Sequence, residues 1–114
     1  MEIRYYQTST GEQPFVAWME GLKDRQARTR IEARLARVAV GNLGDVEPAG
    51  EGVMELRTDW GPGYRVYFAR VGQLIVLLLC GGDKRTQQRD INRAKDCFED
   101  YKARTAQRKP RGRP

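Results

Sequence analysis

Leu74-Ile75-Val76-Leu77-Leu78-Leu79-Cys80, followed at once by Gly81-Gly82, is the stretch on which the fold turns. The run is apolar at every position, too short for an ordinary helix and too uniform for a strand with one wet face. It therefore reads as a strand covered on both sides, the central one of its sheet. Gly72-Gln73 before it is a short turn, and Tyr64 to Val71 ahead of that turn is a second strand. Trp60-Gly61-Pro62-Gly63 is another turn signal, and Val53 to Asp59 alternates Met54, Leu56 and Thr58 against Glu55, Arg57 and Asp59. The three strands make an antiparallel meander. From Leu43 to Gly52 the chain is rich in glycine and acid and contains Pro48, so no regular element is expected there.

Farther out, Ile3 to Tyr6 reads as a short strand, and the period then changes. Thr10 and Gln13 have capping-box spacing, Pro14 suits a first helical turn, and Phe15, Trp18, Met19 and Leu22 recur at helical intervals. After Lys23-Asp24, Ala27, Ile31, Leu35 and Val38 mark a second helix ending near Gly41-Asn42. A third helix begins between Asp83 and Thr86, with Ile91, Ala94, Phe98 and Tyr101 along its apolar side. The expected order is β-α-α-β-β-β-α. This is an α+β fold in which an N-terminal strand, a helical hairpin, a three-stranded meander completing a four-stranded sheet, and a C-terminal helix form one domain over residues 1–104. Residues 105–114 read as a basic, disordered tail.

The totals narrow the function. A chain of 114 residues with 39% hydrophobic and 32% charged residues suits one small core. No run reaches membrane-span length and no secretory signal is evident, so a cytoplasmic, membrane-free protein is expected. Cys80 and Cys97 fall at apolar positions and read as reduced, buried residues. There is no His, no P-loop and no dinucleotide-binding glycine motif, so no metal and no cofactor is expected. The net charge of +6 lies wholly in the last thirteen residues: Lys102 onward holds six of the 21 bases and none of the 15 acids. Inside the body the charges still segregate, with Arg25 to Arg37 basic and Asp45 to Asp59 acidic.

Sharper than the element order is a set of short runs. These are Glu55-Leu56-Arg57, Gly61-Pro62-Gly63-Tyr64-Arg65-Val66-Tyr67-Phe68, Leu78-Leu79-Cys80-Gly81-Gly82-Asp83-Lys84 and Asp90-Ile91-Asn92-Arg93-Ala94-Lys95. Together they resemble the RelE/ParE-like toxin superfamily, and within it the phage-type, HigB-like addiction-module killer proteins. The resemblance runs from about Ile3 to Lys102. It implies a RelE-like fold, a toxin of a type II toxin–antitoxin system, and inhibition of translation by ribosome-dependent mRNA cleavage. It also implies a cognate antitoxin, a helix-turn-helix protein, and the ribosome and mRNA as partners. The same superfamily contains gyrase poisons of the ParE branch, and a non-catalytic RNA-binding domain is a further alternative.

A metal-independent endoribonuclease needs one proton taken, one given, and added negative charge stabilised as the 2′-hydroxyl attacks the phosphate. With no His, Tyr, Lys, Arg or a carboxylate must serve. Arg65 and Tyr67, two residues apart on a strand, share a face about 7 Å apart. Arg65 is expected as the phosphate clamp and Tyr67 as proton donor or stacking platform; the packing alternative pairs Arg65 with Glu55 or Asp59 and buries Tyr67 at the core edge. Arg57 on the neighbouring strand and Lys84 after the two glycines complete the catalytic candidates. Each has a bland alternative, an acidic cross-strand partner for Arg57 and a solvated turn for Lys84. RNA-binding candidates are Arg85, Arg89 and Arg93 at the last helix, Arg30, Arg34 and Arg37 on the second, and Trp60 at its turn; a solvated face is the competing reading of the arginines. Trp60 is expected either to stack on a nucleotide or to fill an antitoxin interface.

Overall fold

A computed structural model describes residues 1–108. Its elements are β1 (Glu2–Tyr5), α1 (Pro14–Gly21), α2 (Arg25–Ala39), β2 (Val46–Gly50), β3 (Val53–Arg57), β4 (Tyr64–Val71), β5 (Ile75–Asp83), a short 3-10 helix (Lys84–Thr86) and α3 (Gln87–Arg108). The strands form one mixed sheet in the order β1-β5-β4-β3-β2, with β1 parallel to β5 and every other pair antiparallel. The class is α+β. None of the described helices is long and apolar enough to cross a membrane.

Each face of the sheet carries its own core. On one side, Phe15 of α1 and Ile31 and Val38 of α2 meet Leu56, Val66, Phe68, Val76 and Leu78. On the other, Ala94, Cys97 and Phe98 of α3 meet Val53, Tyr67, Ala69, Leu77, Leu79 and Cys80. The continuous apolar run is needed because β5 serves both layers. A bulge refines this: Tyr67 pairs with Cys80 and Phe68 with Leu78, so Leu79 is the extra residue and both Leu79 and Cys80 face α3. The middle of the sheet is β4, however, and β5 lies one place nearer the edge.

The largest departure from expectation is β2, since Val46 to Gly50 is an edge strand paired with β3 and makes the sheet five-stranded. Glu51 (φ 55°) and Gly52 (φ 84°) close the β2–β3 hairpin, both in the left-handed region that two-residue turns favour. Pro48 hid the strand, because proline within a strand is tolerated only where its missing N–H faces no partner, as at an edge. The Thr10–Gln13 capping box also does not form. Helix α1 begins at Pro14 with Gln13 as an N-cap that makes no side-chain bond. Asp24 does cap α2, accepting from the N–H groups of Gln26 and Ala27. Helix α3 runs on through Arg108, four residues past the expected domain end, and the remainder of the expected tail lies outside the described residues. It is fastened to the N-terminal strand by Tyr6, which donates to Asp100 at 2.5 Å, and by Arg104, which pairs with Asp100 and donates to the Gln7 carbonyl.

Gly81 and Gly82 make room for the protein itself. A methyl group on Gly81 would overlap the Trp18 ring on one side of the sheet, and one on Gly82 would overlap the Asp90 carboxylate on the other. Gly81→Ala should therefore destabilise the fold by about 1–3 kcal/mol through overpacking. Gly21→Ala, at the end of α1 with open space around it, should be neutral or stabilising by about 0.5–1 kcal/mol. Urea denaturation of the two variants checks the contrast; equal effects would contradict this account of the glycine pair.

Candidate functional site

The β3–β4 register sets Arg57 opposite Arg65 and Glu55 opposite Tyr67. Like charges directly across a strand pair repel, and an acid is needed between them. Glu55 supplies it: its Oε1 lies 3.7 Å from Arg57 Nε and its Oε2 3.8 Å from Arg65 Nε. The same carboxylate accepts from the Tyr67 hydroxyl at 3.0 Å and from Gln87 Nε2 of α3 at 2.7 Å. Glu55 is only 4% exposed, because α3 covers the strand face expected to be polar and wet.

This arrangement corrects the role expected of Tyr67. The ring is fully buried, and its hydroxyl is committed to Glu55. Burial, reinforced by the Glu55 carboxylate, pushes its pKa far above the ordinary phenol value. The side chain can neither reach RNA nor release a proton near neutral pH. Arg65 is buried as well, in the ion pair with Glu55 that the packing alternative allowed. Its hydrogen bonds all leave from Nη1, to the carbonyls of Gly63, Thr58 and Tyr64, and its buried Nε has no hydrogen-bond partner.

Arg65 nevertheless reaches a surface. With Arg57 and Lys84 it lines an open cleft of about 460 Å³, bordered by Asp45, Asp59 and the Gly61-Pro62-Gly63 turn. Gly63 sits within 3.4 Å of both the Lys84 stem and the Arg65 guanidinium, measured from where a Cβ would stand. Arg57 is half-buried and paired with Glu47 at 2.8 Å on strand β2. Lys84 is exposed and joins no ion pair among the described residues. Three of the four catalytic candidates thus share one opening, and Tyr67 lies beneath it.

The RNA-binding candidates divide. Arg34 turns inward, its Nη1 donating to the Arg57 carbonyl at 2.6 Å and its Nη2 to that of Leu43 at 3.2 Å, so it is a brace between α2 and β3. Arg30 and Arg37 are exposed and line a second groove with Trp60, next to the cleft. Arg30 lies 4.0 Å over the Trp60 ring, and the indole N–H donates to Asp24 at 3.1 Å. Arg85 is paired with Asp83. Arg89 and Arg93 are exposed on α3, and the Arg89 guanidinium passes 3.8 Å from Asp90. The glycine pair leaves no opening for a ligand backbone, since Trp18 and Asp90 occupy that space.

Across 81 residues, 71% of this chain and 82% of the relative, the sequence is 47% identical to an uncharacterized protein of Haemophilus influenzae. The chain belongs to the same family as that protein. No family model matches it. Sequence reasoning gave no role to Gln87 or Asp90, and to Glu55 only that of a possible partner for Arg65; Gln87 joins Glu55 under α3, and Asp90 lies buried on the same side of the sheet. Asp90 is 4% exposed and accepts from Thr86. The one available signal was that Asp90 and Gln87 sit three residues apart in the first turn of α3, on the side that must face the sheet if Ile91 and Ala94 do.

Two outcomes follow for Glu55 and Tyr67. Glu55→Gln leaves Arg65 buried without its counter-charge and should cost about 3–5 kcal/mol in urea denaturation. Tyr67 is held protonated in the folded chain and ionises near pH 10 once unfolded, so its contribution is intact below pH 10 and drains away as the pH rises above it. Spectrophotometric titration should show Tyr67 ionising only as the protein unfolds, with Tyr6, which burial pushes up to about 12, also ionising late; smooth titration of every tyrosine with the fold intact would contradict the placement of Tyr67.

Proposed function

We propose that the chain is the toxin of a type II toxin–antitoxin system, RelE-like in fold and HigB-like in kind, acting in the cytoplasm on mRNA held by the ribosome. The observation that carries the reading is the convergence of Arg57, Arg65 and Lys84 on one open cleft. Two guanidiniums and an ammonium around a single opening suit a phosphodiester, and guanidiniums keep their charge at all working pH values. RNA phosphate would displace the Glu47 carboxylate from Arg57, while Arg65 stays fixed from below by Glu55. Neutralisation follows if an antitoxin, expected to be a helix-turn-helix protein, covers this opening.

Cleavage at the cleft is drawn with the groups that can exchange a proton there. Those are Lys84 and the carboxylates of Asp45 and Asp59. A carboxylate takes the proton of the 2′-hydroxyl as its oxygen bonds to phosphorus. The P–O5′ bond breaks, O5′ receives a proton from the Lys84 ammonium, and the arginines stabilise the added charge. Tyr67 has no part in it.

Burial of Tyr67 favours one second reading, an RNA-binding domain that blocks translation without cutting. Inducing the chain in growing bacteria and mapping mRNA 5′ ends separates the two. The nuclease reading expects new ends within translated messages, lowered about 100-fold by Lys84→Ala, and undiminished in Tyr67→Phe molecules that remain folded. Growth arrest with intact messages would overturn cleavage; loss of arrest in Arg57→Ala, with messages still intact, would select the binding reading.

A further inference from the structure

Beside the cleft, α2 and the β3–β4 turn enclose a second groove of about 310 Å³, lined by Arg30, Arg34, Arg37, Thr58, Asp59 and Trp60. Its volume is at the lower end of the roughly 300–1,000 Å³ typical of small-ligand sites. Thr58 and Asp59 line both openings, so the groove continues the cleft rather than standing apart from it. We infer that this groove is a slot for one unpaired nucleobase bearing an exocyclic amine, next to the phosphate held in the cleft. The inference rests on the RNA-binding reading above and adds to it a base preference.

Three features on the groove wall match a nucleotide: the face of its base, its phosphate and the edge of its base. The first is a flat surface. Trp60 stands at a Gly-Pro-Gly turn with its ring held twice, by the Arg30 guanidinium over its face and by its N–H bond to Asp24. Unpaired bases stack on indole rings and on guanidinium planes, so a paired indole and guanidinium offer a platform whose orientation is set before the ligand arrives. The second is unspent positive charge. Helix α2 carries five arginines, at 25, 28, 30, 34 and 37, and none joins an ion pair among the described residues. Arg34 is used by backbone carbonyls, which leaves Arg37 at the groove to meet a phosphate oxygen.

The third is an acceptor. Asp59 is exposed, shares the wall with three arginines, and neither accepts a hydrogen bond nor joins an ion pair among the described residues. A carboxylate repels a bare polyanion, yet it is the group that receives an exocyclic amine at a base edge. Adenine, cytosine and guanine bring such an amine; uracil offers only an N3–H flanked by two carbonyl oxygens that repel a carboxylate, and is disfavoured. An acidic peptide would satisfy the arginines, but it would meet Asp59 with like charge and has no use for a fixed aromatic plane. The mixture of indole, carboxylate and arginine therefore selects a nucleotide.

Fluorescence anisotropy with labelled oligo(A), oligo(C) and oligo(U), titrated with the intact chain, tests the slot. Tighter binding of oligo(A) and oligo(C) than of oligo(U) is expected. Trp60→Ala should weaken the first two on the order of tenfold, and Trp60→Phe, which keeps a stacking ring, should restore most of that loss. Asp59→Ala should bring the three affinities together by weakening oligo(A) and oligo(C), not oligo(U). Lys84→Ala should weaken all three alike and preserve their ratio, because it acts on phosphate. Equal affinities in the wild type that Trp60→Ala leaves unchanged would overturn the slot while RNA binding stands. No binding of any oligonucleotide would overturn the RNA reading itself. Poly-glutamate bound as tightly as oligo(A), and dependent on Trp60, would reassign the groove to an acidic protein segment and so overturn the inference.

Discussion

A single carboxylate, that of Glu55, is the constraint around which the functional half of the molecule is arranged. Strand register forces Arg57 and Arg65 to face one another, and without an acid between them the β3–β4 pair would carry an uncompensated repulsion beneath a helix. Glu55 resolves it by touching both, and it spends its remaining acceptor capacity on Tyr67 and Gln87. The bond to Gln87 ties the start of α3 to the sheet. The fold and the cleft are thus held by the same group.

Most of the architecture was legible in the sequence because β5 is unambiguous. An apolar run bounded by a turn and two glycines admits few readings, and the neighbouring strands follow from turn chemistry at Trp60–Gly63 and Gly72-Gln73. What escaped was β2. Its residues look like a loop in isolation, since a short edge strand containing proline earns its structure from pairing with β3 and not from intrinsic preference.

The site was legible in composition and illegible in direction. Arg57, Arg65 and Lys84 were identified together and do share an opening, since alternation along a strand reports which residues lie on one face. Alternation does not report what covers that face. Helix α3 lies over it, which turned Tyr67 from a surface reagent into a core residue and Glu55 from a solvated acid into a hub. Arg34 misled for a related reason: helical spacing placed it among outward-facing arginines, whereas the carbonyls of Arg57 at the end of β3 and of Leu43 and Asp45 ahead of β2 draw it inward.

The parallel pairing of β1 with β5 joins residues about seventy positions apart. During synthesis at roughly 5–20 residues per second, the first strand waits several seconds for its hydrogen-bonding partner to be made. Closing so long a loop is an entropic burden that local contacts cannot relieve, so the finished sheet is a late event in maturation. The cleft, which needs β3, β4 and the residues following β5, consequently takes shape only after the chain has been made through Lys84.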